Sequence, residues 1–148
     1  TCYIVSNCIG LSNIWDMDQG IAQMPLMNEN EINEWLSLGM DIGAHTRTHI
    51  DLTKASKKVA YNEINGSKVD LEKKFNTSIA DFCYPFGRFN QLLAEVVKSS
   101  GYNSSTTMLR GRVNSKTDSY KIPRIPINHH TLPHLFLSKI LTKYEDKR

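Results

Sequence analysis

The sequence predicts an α/β domain built on a parallel sheet. Short apolar runs rich in β-branched and aromatic residues recur along the chain, and amphipathic segments of roughly 10 to 19 residues separate them. This alternation is typical of right-handed βαβ units. The predicted strands are 2–6, 40–44, 79–84, 102–107 and 120–127; the predicted helices lie between Asn28 and Gly39 and at 57–75, 90–100 and 132–144.

Local signals support the helix boundaries. Asn28 is followed three residues later by Glu31, the pattern of a capping box, and Gly39 is placed to end that helix. In the 57–75 helix, Gly66 is expected to be a weak point. The residues predicted to face the core are Ile32, Trp35, Leu36 and Leu38 in the first helix and Val59, Ile64, Val69, Leu71 and Phe75 in the second; Glu63, Lys68, Glu72 and Lys73 are predicted to face solvent.

Composition excludes several classes of protein. The 148 residues suit a single domain, 1–148, with 40% hydrophobic and 22% charged residues. A net charge of +3 with scattered basic residues argues against nucleic-acid binding, and no apolar run is long enough to cross a membrane. Cys2, Cys8 and Cys83 are expected to be buried free thiols. Because the chain begins with Thr1 and enters a strand at once, a preceding segment is expected.

The pair His45 and His49 is the main candidate for chemistry. Two imidazoles four residues apart can share one divalent metal if the backbone brings them together. A strand leads directly into the pair, and Thr46 and Thr48 disfavour a helix, so a turn at the carboxyl end of a parallel strand is predicted. Two surface histidines in a loop are the alternative, since this spacing alone is a weak motif.

Two further features attract attention. The strand before Pro85 and Gly87 predicts a tight turn, whose backbone N–H groups could donate into a site as in an oxyanion hole; an ordinary turn is the alternative. Arg124 lies among apolar residues and is expected to pair with a carboxylate, either to orient an acidic group or as a structural ion pair. The remaining histidines, His129, His130 and His134, are expected to be structural or exposed.

Taken together and in order, these segments resemble the polysaccharide deacetylases, also called NodB-like domains or carbohydrate esterase family four. Residues 41–53, DIGAHTRTHIDLT, resemble the family's "IGSHTxxHxDL" block, and residues 82–87, FCYPFG, resemble its "FAYPYG" block. Residues 2–5, 101–102 and 123–125 resemble its "ATFFV", "AGY" and "xRI" segments. The resemblance implies a distorted, incomplete (β/α) barrel whose N-terminal strand or strands precede Thr1.

The resemblance also assigns roles. It implies that His45 and His49 are metal ligands, with zinc the favoured metal, and that Thr46 steadies their loop. It implies that the backbone N–H of Phe86 polarises the acetyl oxygen and that Tyr84, Pro85, Phe86 and Gly87 contact substrate. The implied reaction removes N-acetyl groups from an amino sugar polysaccharide: metal-bound water attacks the amide carbonyl, an aspartate takes a proton and a histidine protonates the amine. A secreted or envelope-bound protein is favoured.

Departures from the family pattern leave alternatives open. The Thr-Phe-Asp-Asp block, which supplies the base and the third metal ligand, is expected upstream of Thr1. Cys83 stands where many members have an arginine, so Arg124 is the candidate to hold the base. We therefore expect the chain alone to be inactive and to bind metal weakly. The alternatives are a non-catalytic carbohydrate-binding or scaffold domain and a metal hydrolase on a different barrel; an upstream Asp-Asp would favour the deacetylase.

Overall fold

The computed structural model describes residues 1–147. Its strands are β1 (Cys2–Ile4), β2 (Ile42–Ala44), β3 (Asp81–Cys83), β4 (Ser104–Arg110) and β5 (Ile122–Arg124), and its α-helices are α1 (Glu29–Ser37), α2 (Lys57–Phe75), α3 (Gln91–Ser99) and α4 (Pro133–Leu141). Every predicted strand and helix is present. No helix in residues 1–147 has the length and apolar character needed to cross a membrane.

The five strands form one parallel sheet in the order β1-β2-β3-β4-β5. The predicted α/β class with a parallel sheet is therefore confirmed. Sequential order combined with right-handed crossovers places α1, α2 and α3 on the same face of the sheet, as in a barrel. All five strands end at the same edge, so the segments that follow β2 and β3 meet there.

Capping residues explain where the helices begin. The side chain of Asn28 accepts hydrogen bonds from the N–H groups of Asn30 and Glu31, and the Glu31 carboxylate accepts from the Asn28 N–H, which confirms the predicted capping box. Ser56 and Asn90 cap α2 and α3 in the same way.

The core lies between the sheet and these helices. Its largest fully buried side chains include Ile32, Ile64, Leu71, Phe82, Tyr84, Val97 and Tyr102. Three residues predicted to face this core are instead exposed: Leu38 is 72%, Val59 44% and Val69 50% accessible. Leu38 is the C-terminal cap of α1, beyond its last turn, and the two valines lie on the solvent side of α2.

Two predicted element boundaries differ from the structure, and the cysteines are free thiols as expected. β4 continues to Arg110, so residues 108–110, predicted as loop, are strand, whereas α4 ends at Leu141 rather than Tyr144. All three cysteines are free thiols as predicted; Cys8 and Cys83 are buried and Cys2 is half-buried.

Candidate metal centre

His45 and His49 lie together at the carboxyl end of β2. Their Nε2 atoms are 3.1 Å apart, although four residues separate them along the chain. Two imidazole nitrogens bound tetrahedrally to one zinc ion at about 2.0–2.1 Å would lie roughly 3.3 Å apart. The two rings therefore fit a shared divalent metal with little movement. Within residues 1–147, no three-residue cluster of His, Cys, Asp or Glu suited to a metal is present.

The orientation of His45 is fixed by the neighbouring strand. Its Nδ1 lies 2.7 Å from the carbonyl oxygen of Cys83 in β3, so Nδ1–H donates there and Nε2 keeps its lone pair. Metal-binding histidines commonly have such a partner, which sets both tautomer and ring orientation. The Nδ1 of His49 is buried and has no hydrogen-bond partner within residues 1–147.

The backbone of the histidine loop is tightly wound. Thr46 and His49 both have positive φ, 64° and 58°, a conformation that non-glycine residues seldom adopt. The Thr46 hydroxyl donates to the His45 carbonyl at 2.5 Å and accepts from the His49 N–H at 2.9 Å. This hydroxyl therefore closes the loop on itself, which confirms the steadying role expected of Thr46.

Helix α2 holds the loop from the other side. The Glu63 carboxylate accepts the backbone N–H groups of Arg47 and Thr48 at 2.9 Å each, and the Thr48 hydroxyl at 2.9 Å. Two helical turns further along, Asp70 binds the Arg47 guanidinium through two hydrogen bonds of 2.6 and 2.8 Å. Glu63 was predicted to face solvent; it instead satisfies three donors of the loop that carries the histidines.

Gly66 was predicted to be a weak point in α2, but the helix runs unbroken through it, and the missing side chain makes room for Arg47. It is buried, and a Cβ atom there would overlap the Arg47 guanidinium, lying 2.5 Å from its Nε. The absence of a side chain at this position therefore leaves room for the Arg47–Asp70 pair.

Replacing Gly66 by alanine tests this packing. Helix propensity alone predicts a gain in stability of about 1 kcal/mol, but displacement of Arg47 from Asp70 predicts a net loss of about 1–2 kcal/mol. Urea denaturation of Gly66→Ala, Arg47→Ala and the double variant measures the coupling between the two sites. We expect Gly66→Ala to be milder in the Arg47→Ala background; equal effects in both backgrounds would contradict the packing.

The turn after β3 lies beside the histidines. Phe86 adopts φ 56° and ψ 10°, and its ring contacts His49 edge-on with centroids 4.8 Å apart. The backbone N–H of Phe86 takes part in none of the hydrogen bonds among residues 1–147, whereas the N–H groups of Gly87 and Arg88 bond within the turn. Phe86 is therefore the residue of this turn with a backbone donor left for a ligand.

Tyr84 and Pro85, which the family resemblance assigns to substrate contact, precede Phe86 at the end of β3. Both are buried. The Tyr84 hydroxyl donates to the Tyr120 carbonyl and accepts from the Ser105 hydroxyl, each at 3.0 Å, and burial raises its pKa to about 12. The Tyr84 side chain therefore packs in the core, and its contact with substrate stays a prediction.

Arg124 is the last residue of β5 and is exposed. None of the ion pairs among residues 1–147 includes it, so the predicted carboxylate partner is not found there. The positive charge of Arg124 helps to lower the pKa of His45, after the larger effect of burial, and partly offsets the burial that raises the pKa of Cys83. Arg124 therefore lies near the histidine pair, on the third strand along from β2.

Trp15 completes the surroundings of His49 and was not predicted. Its indole stacks on the His49 ring with centroids 4.1 Å apart and an angle of 23° between the planes. Trp15, both histidines and β1 line a cavity of about 300 Å³. Trp15 belongs to the irregular segment 11–27, whose lack of periodicity gave no sign of where its side chains would lie.

Burial dominates the electrostatics of the pair. Burial lowers the pKa of His45. For His49, burial is the largest cause and the nearby His45 the second, and together they lower its pKa to about 4, although Asp16 acts in the opposite direction. Both imidazoles are therefore neutral at pH 7, the state that binds a metal. By contrast, His129, His130 and His134 are exposed, as predicted.

The lowered pKa of His49 predicts a pH-dependent stability. Between pH 6.5 and about 4, the unfolded chain binds a proton at His49 that the folded chain does not, so the free energy of unfolding falls as the pH falls through this window. The pKa values of Asp51 and Asp70 are also lowered, but they act below about pH 4. Urea denaturation in metal-free buffer at several pH values measures how the free energy of unfolding depends on pH. His49→Gln should show a weaker dependence than the wild type, and His134→Gln the same dependence as the wild type. The same dependence for all three proteins would contradict this account.

Comparison with known proteins identifies the family of the chain. Residues 10–105, well over half of the chain, match the family described as polysaccharide deacetylase. A poly-beta-1,6-N-acetyl-D-glucosamine N-deacetylase of Staphylococcus aureus is 25% identical over 144 positions, which cover 91% of this chain and 47% of that protein. The chain thus spans about half the length of the curated relatives it matches.

Two solved structures are similar in fold and sequence. The Streptococcus pyogenes deacetylase PplD, in complex with acetate, gives a TM-score of 0.75 at 26% identity and covers 84% of this chain and 54% of its own. The Bacillus cereus polysaccharide deacetylase BC0361 gives a TM-score of 0.72 at 28% identity, and the match covers 78% of this chain and 37% of the BC0361 chain. By family match, fold and sequence together, the chain belongs to the polysaccharide deacetylase family.

Proposed function

We propose that this chain is part of a metal-dependent hydrolase that removes N-acetyl groups from an amino sugar polysaccharide. The observation that carries the proposal is the convergence of the His45 and His49 Nε2 atoms to 3.1 Å beside the Phe86 turn. Two neutral imidazoles suit zinc and other borderline divalent metals. Such a metal would polarise the acetyl carbonyl and activate water for attack on it.

The residues of the chain would serve this reaction in three ways. His45 and His49 hold the metal, His45 through a ring oriented by the Cys83 carbonyl. The Phe86 N–H donates a hydrogen bond to the acetyl oxygen as negative charge develops on it. Because the backbone supplies this donor, phenylalanine in place of the family's usual tyrosine is compatible with the role. Arg124 orients the carboxylate that accepts the proton from water.

The proposal requires a carboxylate as third ligand and another as base. We propose that both come from the Thr-Phe-Asp-Asp block that the family resemblance leads us to expect upstream of β1. With two protein ligands, the 148-residue chain is expected to bind zinc weakly, with a dissociation constant on the order of micromolar or higher, and to lack measurable activity. For the polymer, we propose β-linked poly-N-acetylglucosamine, on the strength of the name of the S. aureus relative.

Release of acetate from N-acetylglucosamine oligomers tests the function. The protein expressed with the segment preceding Thr1 should release acetate in the presence of zinc or cobalt, and substitution of His45 or His49 by alanine should reduce the rate by about 100-fold or more. His129→Ala/His130→Ala, a matched double substitution at exposed histidines, should leave the rate unchanged. The chain of residues 1–148 should give no acetate under the same conditions.

The same assay separates the main alternative, a carbohydrate-binding domain without catalysis. Oligosaccharide binding that persists without acetate release in the extended protein, at any metal concentration, would favour that alternative. Acetate release that survives loss of both His45 and His49 would contradict the proposed metal centre.

A further inference from the structure

The His49 ring is held by aromatic side chains from two different loops. Trp15 covers one face, with ring centroids 4.1 Å apart and nearly parallel planes, and Phe86 meets the ring edge-on at 4.8 Å. His49 itself is only 8% exposed. Offset stacking of this kind resists tilting of either ring, because tilting breaks contact over the whole face. Trp15 therefore fixes the plane of the imidazole.

The plane matters because no neighbouring residue in 1–147 orients His49 through a hydrogen bond to its Nδ1. His45 is oriented through its Nδ1 by the Cys83 carbonyl, but the His49 Nδ1 has no hydrogen-bond partner within residues 1–147. Ring packing is thus the contact that can direct the His49 Nε2 towards His45. In most metal sites a hydrogen bond to the second ring nitrogen performs this task.

The loop that carries Trp15 is anchored firmly enough to serve as a support. Its two limbs are joined by the backbone bonds Gly10 N–H to Met27 O at 2.9 Å, Leu26 N–H to Leu11 O at 2.8 Å and Asn13 N–H to Met24 O at 3.2 Å. The buried Asn13 side chain accepts the Met24 N–H at 2.5 Å and donates to Asp16 at 2.9 Å. Trp15 precedes Asp16 in the 3-10 helix Ile14–Gln19, which Asn13 anchors through these bonds.

We propose that Trp15 is a positioning residue that holds the His49 imidazole in its metal-binding orientation and ties the 11–27 segment to the metal centre. The inference rests on the proposed function, since it assumes that His45 and His49 bind a divalent metal. In this role Trp15 contacts neither metal nor substrate. Metal affinity then depends on the 11–27 segment, which is distant in sequence from the histidines.

The two tryptophans of the chain allow a controlled test. Trp35 donates its indole N–H to the Asp41 carbonyl before β2, at the opposite end of the strand from His45. Trp35→Phe therefore leaves Trp15 as the single tryptophan, next to the histidines, and Trp15→Phe leaves Trp35; excitation at about 295 nm avoids the tyrosines. Titration with Co²⁺, a paramagnetic quencher, reports proximity without any activity, and calorimetry with Zn²⁺ reports affinity.

Three results are expected. Co²⁺ should quench Trp15 in the Trp35→Phe protein, and His45→Ala/His49→Ala should abolish the quenching. Trp15→Leu should weaken zinc binding by about 10-fold, the scale of lost supporting contacts in metal sites, whereas Trp15→Phe should keep affinity within about threefold because it retains a stacking ring. Circular dichroism and the melting temperature verify that each variant is folded; if Trp15→Leu is not, Trp15→Met, which fills the same space without a stacking ring, takes its place with the same expected result.

Each contrary result has a distinct meaning. Histidine-dependent zinc binding that is unchanged in Trp15→Leu would overturn the positioning role and leave the proposed function standing. Strong Co²⁺ quenching of Trp35 with none of Trp15 would also overturn it. Zinc binding that does not depend on His45 and His49 would overturn the proposed metal centre and the role of Trp15 together.

Discussion

Replacing His45 and His49 by alanine is expected to abolish specific zinc binding by this chain. The two Nε2 atoms lie 3.1 Å apart and supply the converging nitrogen donors of the candidate site. Because each imidazole contributes one of the protein's two ligands there, loss of both leaves only nonspecific association. Titration calorimetry at pH 7 measures the change, from a dissociation constant on the order of micromolar or higher to no detectable specific binding.

The control for this experiment is His129→Ala/His130→Ala. These two adjacent histidines are exposed, and their rings lie 3.7 Å apart, so they offer a competing pair of imidazoles on the surface. Their loss should leave the zinc isotherm unchanged. Equal binding by the wild-type chain and the His45→Ala/His49→Ala variant would show that zinc binds elsewhere.

Replacing Gly87 by alanine is expected to destabilise the protein by about 3 kcal/mol, because a positive-φ cost of about 1–2 kcal/mol adds to overpacking of about 1–3 kcal/mol. Gly87 has φ +64°, and a Cβ atom there would overlap the Met108 side chain and lie 2.6 Å from the Met108 backbone nitrogen. The backbone of β4 is held by pairing with β3 and β5, so the turn that contains Gly87 must shift instead. That shift would displace the Phe86 N–H and, in the protein expressed with the preceding segment, lower acetate release by more than the loss of stability explains.

Gly39→Ala provides the matched control. Gly39 has φ +75°, close to that of Gly87, but nothing lies within 4 Å of a Cβ atom built there. Its substitution should cost about 1–2 kcal/mol, from conformation alone. Urea denaturation that gives the same destabilisation for both variants would contradict the steric account of the Phe86 turn.

The elements of the fold could be predicted because local signals dictate them. Ser56 and the change to left-handed φ at Asn76 bound α2 at the residues expected from apolar periodicity, and Asn28 with Glu31 begins α1 as the capping rule requires. The histidine pair could be placed at a strand end because β2 runs directly into it and parallel strands end at one edge.

The support of the site could not be predicted, because it depends on contacts between distant segments. Trp15 and His49 are 34 positions apart, and nothing in the irregular 11–27 segment indicates that its indole would stack on an imidazole. Glu63 has the spacing of a solvent-facing helical residue, yet it binds loop N–H groups that only the folded chain brings to it. Gly66 looks unfavourable from helix propensity and is explained only by Arg47.

The most direct test of the metal centre is anomalous diffraction at the zinc absorption edge, from crystals grown with zinc. The account predicts an anomalous peak between the two imidazoles, about 2.0–2.1 Å from both the His45 and the His49 Nε2 atoms, with the His49 ring still stacked on Trp15. An anomalous peak at His129 and His130 alone, or none near His45 and His49 at saturating zinc, would contradict it.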